Sequence, residues 1–351
     1  MQDRPTPLVA VILACFSGVA LPQTITEYPV PDARSVPLNI TAGPDGALWF
    51  TELRGTRIGR ITTDGELTEY PVPTPLSEPG GITVGADGAL WFTEGFASKI
   101  GRITTDGAIS EFGPTAIFMI GDGPIEITSG SDDHMWFTEW DAGVVGRIST
   151  VGTITLFDLP TQPYYAISPA GIAAGPDGAL WFAETNAMQI GRITTTGIVT
   201  EFPVDAAPLK IATGPDGALW FTQVMANRIG RITTSGEITE FPIPTADSEP
   251  NAITAGPDGA MWFTERKGNK VGRITISGKI TEFPIPTEGS QPGGIVTGPD
   301  NNIWFTETAG NMVFSENAQG KIAKLTLEVP GRPSIERVQR EPRPKTLKPR
   351  P

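Results

Sequence analysis

In 351 residues the chain has one cysteine and one histidine. A lone cysteine excludes an internal disulfide, and the pair is too small a set for a Cys/His metal cluster. The N-terminal apolar run, Leu8 to Ala20, is thirteen residues long, short of the roughly 20 that a membrane-crossing helix needs, so no transmembrane span is expected. Basic residues are in deficit, 26 Lys and Arg against 39 Asp and Glu, for a formal charge of −13. Such a balance argues against a nucleic-acid partner. Only residues 331–351 are basic, with a net of +5 that leaves −18 on the rest of the chain. No nucleophile triad and no phosphate-binding glycine loop stands out.

What the chain does have is repetition. A variant of G-P-D-G-A-L-W-F-T-E occurs seven times, with its Trp at 49, 91, 136, 181, 220, 262 and 304. A period near 42 residues and seven copies predict an all-β, seven-bladed β-propeller over residues 24–328. Each copy holds four strand-like segments divided by turns; in the second these are 81–84, 89–94, 99–104 and 108–112. Leu-Trp-Phe is apolar on both faces, as a strand packed between two neighbouring sheets requires. The text Thr24-Ile25-Thr26-Glu27-Tyr28-Pro29 copies a fourth strand before any first strand has occurred, so it is expected to complete the last blade. Lys321 to Thr326 supplies that blade's third strand. It comes late because 305–311 is echoed by 314–320, which predicts an enlarged loop.

Outside the ring, residues 1–20 read as an export signal ending in the small-residue site Gly18-Val19-Ala20. Cys15 after Ile12-Leu13-Ala14 loosely matches a lipoprotein cleavage site, and would lipid-anchor the product. Either way the expected location is periplasmic or extracellular. The Pro-rich basic tail, 329–351, is expected to be disordered.

The copies also serve as an internal alignment. Arg60, Arg102, Arg147, Arg192, Arg231 and Arg273 on the third strands are expected to meet Glu69, Glu111, Glu201, Glu240 and Glu282 on the fourth, with a register uncertain by one residue. Val151 and Thr196 before the turn glycine argue against a uniform type I′ turn. Glu52, Glu94, Glu139, Glu184, Glu265 and Glu307, with Gln223 as the odd copy, end the second strands and are expected to cap backbone between blades. The turns on one face repeat closely, whereas the loops between second and third strands vary, which marks a ligand face. Asn39, Trp140, Met225 and Arg266 are candidates there. On that face each chain segment enters its innermost strand as Pro-x-x-Ile, and the x positions point at the channel mouth. Small residues predominate, predicting an open cleft, and Glu126 and Lys210 are the only charges at these positions. His134 replaces an Ala beside a turn on the opposite face.

G-P-D-G-x-L-W-F-T-E, I-G-R-I-T and I-T-E-F-P-I-P-T, repeated over residues 24–326, closely resemble the virginiamycin B lyase (streptogramin B lyase) family. The resemblance implies ring-opening elimination, in which a His base removes the proton α to a carbonyl while Mg²⁺ stabilises the enolate-like charge. It places two His at positions that here hold Asn251 and Gly293, and two metal-ligand Glu at Gln291 and at or near Thr308. None of the four matches, although Glu307 is adjacent to the last. Two readings follow. One is an exported, monomeric propeller that binds a small-molecule or protein ligand on its variable face without the elimination chemistry and without a cofactor. The other is an active carbon–oxygen lyase that inactivates the antibiotic with Mg²⁺, using Glu126 as base and Lys210 as electrostatic stabiliser.

Overall fold

Short β-forming runs separated by Asp-Gly turns have little choice but to pair with their sequence neighbours, and they do so seven times. The computed structural model describes residues 8–12 (backbone), 23–32, 35–115, 123–160, 167–308 and 319–327. The first blade consists of Pro37–Ala42, Leu48–Glu52, Arg57–Ile61 and Leu67–Pro71, antiparallel and in sequence order from the centre outward. Five further blades repeat it. The seventh joins Pro292–Thr297, Ile303–Glu307 and Lys321–Thr326 to Gln23–Pro29, so the ends of the chain close the ring as expected. Leu8–Ile12 adds a fifth, outermost strand to that blade, Leu8 opposite Glu27 and Ile12 opposite Gln23. Ring closure itself needs only Gln23–Pro29. Among the described residues no helix is long and apolar enough to cross a membrane. Cys15, the site at 18–20, the enlarged loop at 309–318 and the tail at 329–351 lie outside the described residues.

Every second strand is fully buried, with Trp on one face and Phe on the other. Trp49 of the first blade packs with Ile82, Leu90 and Phe92 of the second, and the pattern repeats to Trp304, which packs with Ile40 and Phe50 of the first. Each Trp also stacks on the aromatic ring of its own blade's fourth strand, Trp49 on Tyr70 with centroids 5.5 Å apart. The core is therefore a ring of seven inter-blade layers rather than one centre.

The hairpin between third and fourth strands explains why Val151 and Thr196 are tolerated. Gly65 N–H donates to Thr62 C=O at 2.9 Å and Thr62 N–H to Glu66 C=O at 3.0 Å, a three-residue loop in which Gly65 alone takes φ +92°. Residues before that glycine stay at negative φ, so β-branched side chains fit.

This register corrects the expected Arg–Glu pairing. Arg60 lies opposite Thr68, and Glu69 opposite Gly59. One residue of offset puts Arg60 and Glu69 on opposite faces of the sheet. Arg60 Nε instead donates to Asp45 Oδ2 at 2.6 Å, while Trp49 Nε1 donates to Asp45 Oδ1 at 3.0 Å. The fourth-strand Glu pairs with the first residue of the third strand: Glu111 with Lys99 at 3.1 Å, Glu240 with Arg228 at 2.7 Å, Glu282 with Lys270 at 2.9 Å and Glu27 with Lys321 at 2.6 Å. His134, the sole histidine, sits at the turn as expected, its Nδ1 2.6 Å from Asp132 C=O. There Arg147 approaches Asp132 only through Nη1, at 3.4 Å.

Candidate functional site

The innermost strands meet around the channel, and a threonine joins each blade to the next. Thr51 Oγ1 accepts from Asn39 N–H at 3.2 Å and donates to Gly80 C=O of the second blade at 2.7 Å. Thr93, Thr138, Thr222, Thr264 and Thr306 donate in the same way to Ile125, Ala170, Asn251, Gly293 and Leu38. The fourth blade has Ala183 instead. Without the hydroxyl, Gly171 N–H bonds directly to Leu209 C=O at 2.8 Å, and the innermost strand of the fifth blade shortens to Ile211–Thr213. Lys210 therefore enters the mouth from a non-strand segment, pinned by Thr222 through both its N–H and its C=O.

The glutamate ring does not cap backbone between blades; the adjacent threonines do. Glu52, Glu94, Glu139, Glu184, Glu265 and Glu307 are at most 1% exposed, and one or both carboxyl oxygens of each have no hydrogen-bond partner. Desolvation pushes their carboxyls up, to about 7 for Glu52 and Glu139 and to about 8 for the other four. Nearby carboxylates add to the effect: Glu111 at Glu94, Glu282 at Glu265 and Glu27 at Glu307. The odd copy shows what this position favours, since the neutral amide of Gln223 donates to Glu240 Oε1 at 2.8 Å.

At the channel mouth three side chains from the first, third and fifth blades converge on one atom. Asn39 Nδ2 donates to Glu126 Oε1 at 2.8 Å, and Lys210 Nζ donates to the same oxygen. The small residues between them leave a cavity open at the mouth, as expected, with the backbones of neighbouring blades set close together. A Cβ on Gly81, Gly171 or Gly294 would stand 2.9, 2.7 and 2.9 Å from the Cα of Glu126, Lys210 and Asn39 respectively. Glycine there lets the next blade approach closely enough to present its polar side chain. The cavity that remains, about 260 Å³, is lined by Asn39, Glu126, Lys210 and Asn251, with the exposed Glu78 at its edge and apolar walls that include Ile125 and Phe96. Of the loop candidates only Asn39 lines it. Met225 is 88% exposed at the rim, and Trp140 is half-buried.

Of the positions carried over from the family resemblance, Gln291, Gly293 and Thr308 come together, while Asn251 lines the cavity. Thr308 Oγ1 donates to Gln291 C=O at 2.8 Å, and Arg266 Nη2 donates to Gln291 Oε1 at 3.4 Å. Gly293 is buried, and a Cβ on it would lie 2.7 Å from Thr306 Oγ1 and 3.1 Å from Leu38 C=O. Among the described residues no group of three or more His, Cys, Asp or Glu is placed to hold a metal ion. The sequence reasoning missed the inter-blade threonines and the turn aspartates. Both signals were present as invariant letters of the repeat, broken once by Ala183.

The comparisons agree with the repeat text. Residues 16–207 and 203–335 match the model of the virginiamycin B lyase family. The virginiamycin B lyase of Staphylococcus aureus is 40% identical, with a TM-score of 0.79 over 87% of this chain and 100% of that one. A catalytically inactive variant of that lyase solved with quinupristin gives 40% identity and a TM-score of 0.78 over 87% and 100% of the two chains. A stretch of 43 residues is 49% identical to the virginiamycin B lyase of Bacillus licheniformis, spanning 12% of this chain and 15% of that one. With the repeat, the ring of seven blades and matches along nearly all of it in agreement, the chain belongs to the virginiamycin B lyase family.

Proposed function

We propose that this chain is a ligand-binding propeller of the family that has lost the family's elimination chemistry. The supporting observation is that Gln291, Gly293 and Thr308, which lie together, and Asn251 on the cavity wall include neither the base nor the metal ligands that the resemblance calls for. Asn does not take up a proton near neutral pH, and Gly293 has no room for an imidazole without displacing Thr306. Deleting a general base alone lowers rates by ~10²–10⁴-fold.

The Mg²⁺ implied by the family does not fit these residues. A divalent cation prefers carboxylate and other hard oxygens. Here Gln291 offers an amide already bonded to the Arg266 guanidinium, and the carboxyl of Glu307 is buried and pushed up to about 8. A cation in this place would face Arg266, so no catalytic step is assigned to one.

The variable face is the binding surface in this reading, with Phe96, Met188 and Met225 exposed on its loops. Export through residues 1–20, with or without a lipid on Cys15, belongs to the same proposal. The competing lyase would use Glu126 as base. Its Oε1 already accepts from both Lys210 and Asn39, which leaves only Oε2 to face a substrate. The test is incubation of purified protein with quinupristin and Mg²⁺, followed by mass spectrometry for a ring-opened product and calorimetry for binding. Binding without turnover supports the proposal. Turnover that Glu126→Gln abolishes would establish the lyase instead.

A further inference from the structure

We infer that the channel-mouth cavity takes a small zwitterion, a free aliphatic α-amino acid, held by Glu126 and Lys210. This rests on the reading that the variable face binds a ligand, and it names the ligand class of its central cavity. Three observations carry it. First, at the two x positions of the seven Pro-x-x-Ile segments, Glu126 and Lys210 are the only charged residues, and the fold brings them into contact although they are 84 residues apart. Second, the contact is built: glycines at 81 and 171 admit the backbones of Glu126 and Lys210, and Ala183 re-routes the strand that delivers Lys210. Third, the side chains are only 14% and 23% exposed, in a cavity of about 260 Å³ with branched aliphatic walls including Ile172, Ile211, Ile253 and Ile295.

Charge decides the ligand class. A ligand with one charge would draw one partner away and leave the other unpaired where both side chains are mostly buried, which is unfavourable. An apolar ligand would strip water from the pair and return no hydrogen bond. A zwitterion offers an ammonium to Glu126 and a carboxylate to Lys210, so every charge stays compensated while the pair opens around it. The amides of Asn39 and Asn251 supply neutral donors and acceptors beside it. The cavity lies below the ~300–1,000 Å³ usual for drug-sized ligands, which suits an amino acid whose aliphatic side chain lies against the isoleucines.

The experiment is calorimetry on the full chain with L-leucine, N-acetyl-L-leucine and L-leucinamide, with quinupristin titrated in parallel. Leucine is expected to bind, and the two single-charge analogues to bind about tenfold or more weakly. Lys210→Met and Glu126→Gln should each lose leucine binding while keeping a wild-type circular dichroism spectrum. The exchange variant Glu126→Lys with Lys210→Glu keeps both charges and should recover part of it. Equal binding of the three ligands, or leucine binding unchanged in Lys210→Met, overturns the inference. Quinupristin binding with no leucine binding also overturns it but leaves the ligand-binding reading intact; absence of both removes the two together.

Discussion

Each second strand runs between two repeated carboxylates that the fold treats in opposite ways. At the turn end, Asp45 and its counterparts are partly exposed and accept from a Trp indole and an Arg guanidinium. Burial opposes their ionisation, but those hydrogen bonds prevail and hold the carboxyls of Asp45, Asp87, Asp177, Asp216 and Asp258 below the usual range. At the other end, seven residues away, the Glu ring is buried without a cation bonded to it and is pushed up to about 7 or 8. The turn face is satisfied and nearly identical from blade to blade. The other face carries under-satisfied groups, divergent loops and the mouth cavity. Burial sets the difference: one carboxylate meets donors as it leaves water, and the other does not.

The largest expected effect breaks the satisfied end. Asp177→Ala removes the acceptor of Trp181 Nε1 at 3.0 Å and Arg192 Nε at 2.6 Å. It should lower stability in urea unfolding by about 3 kcal/mol, as expected for two hydrogen bonds to a partly exposed carboxylate. A loss below about 1 kcal/mol would mean that the network is solvent-screened.

Next, pH separates the two ends. The folded chain binds protons at the Glu ring more tightly than the unfolded chain, whose glutamates titrate near 4.5. Stability should therefore fall as pH rises from about 4.5 to about 8. The turn aspartates have the opposite sign: their contribution is present above the unfolded value of 3.8 and is lost as pH falls below it. Maximum stability is thus expected near pH 5. Glu94→Gln should be neutral at pH 5 and stabilise at pH 9 by roughly 1–2 kcal/mol, allowing for partial solvation. Gln223→Glu should steepen the alkaline decline. A flat stability profile between pH 5 and 9 would contradict the buried ring.

Thr264→Ala tests the inter-blade clasp. It leaves Ala252 N–H and Gly293 C=O without the hydroxyl that bridges them, and about 1–2 kcal/mol should be lost. The smallest effect sharpens the contrast: Met225→Ser, at an 88% exposed side chain, should change stability by less than about 0.5 kcal/mol and be detected only as altered quinupristin binding.

Much of the architecture was legible because every blade repeats one local text. Blade number, the four-strand plan and closure by Gln23–Pro29 follow from the spacing of Trp-Phe and the misplaced copy of a fourth strand. The partner of Arg60 was not legible, since a three-residue hairpin and a two-residue hairpin differ by one in register and place Glu69 on opposite faces. The role of the Glu ring was misread for a related reason: a repeated carboxylate looks the same in sequence whether it caps a backbone or is buried beside another acid. Of the site, the positions were legible and the contact was not. Glu126 and Lys210 stood out as the only charges at the Pro-x-x-Ile positions, but their meeting, and the part of Ala183 in it, required the ring.

The sequence by itself determined the seven-fold scaffold and its layered Trp and Phe core, because these depend on local pattern and position within a repeat. Only the tertiary structure decided which carboxylates meet donors and which are buried without them, and which charges meet across the channel. Those depend on desolvation and on distances between blades, and a linear alignment of copies contains neither.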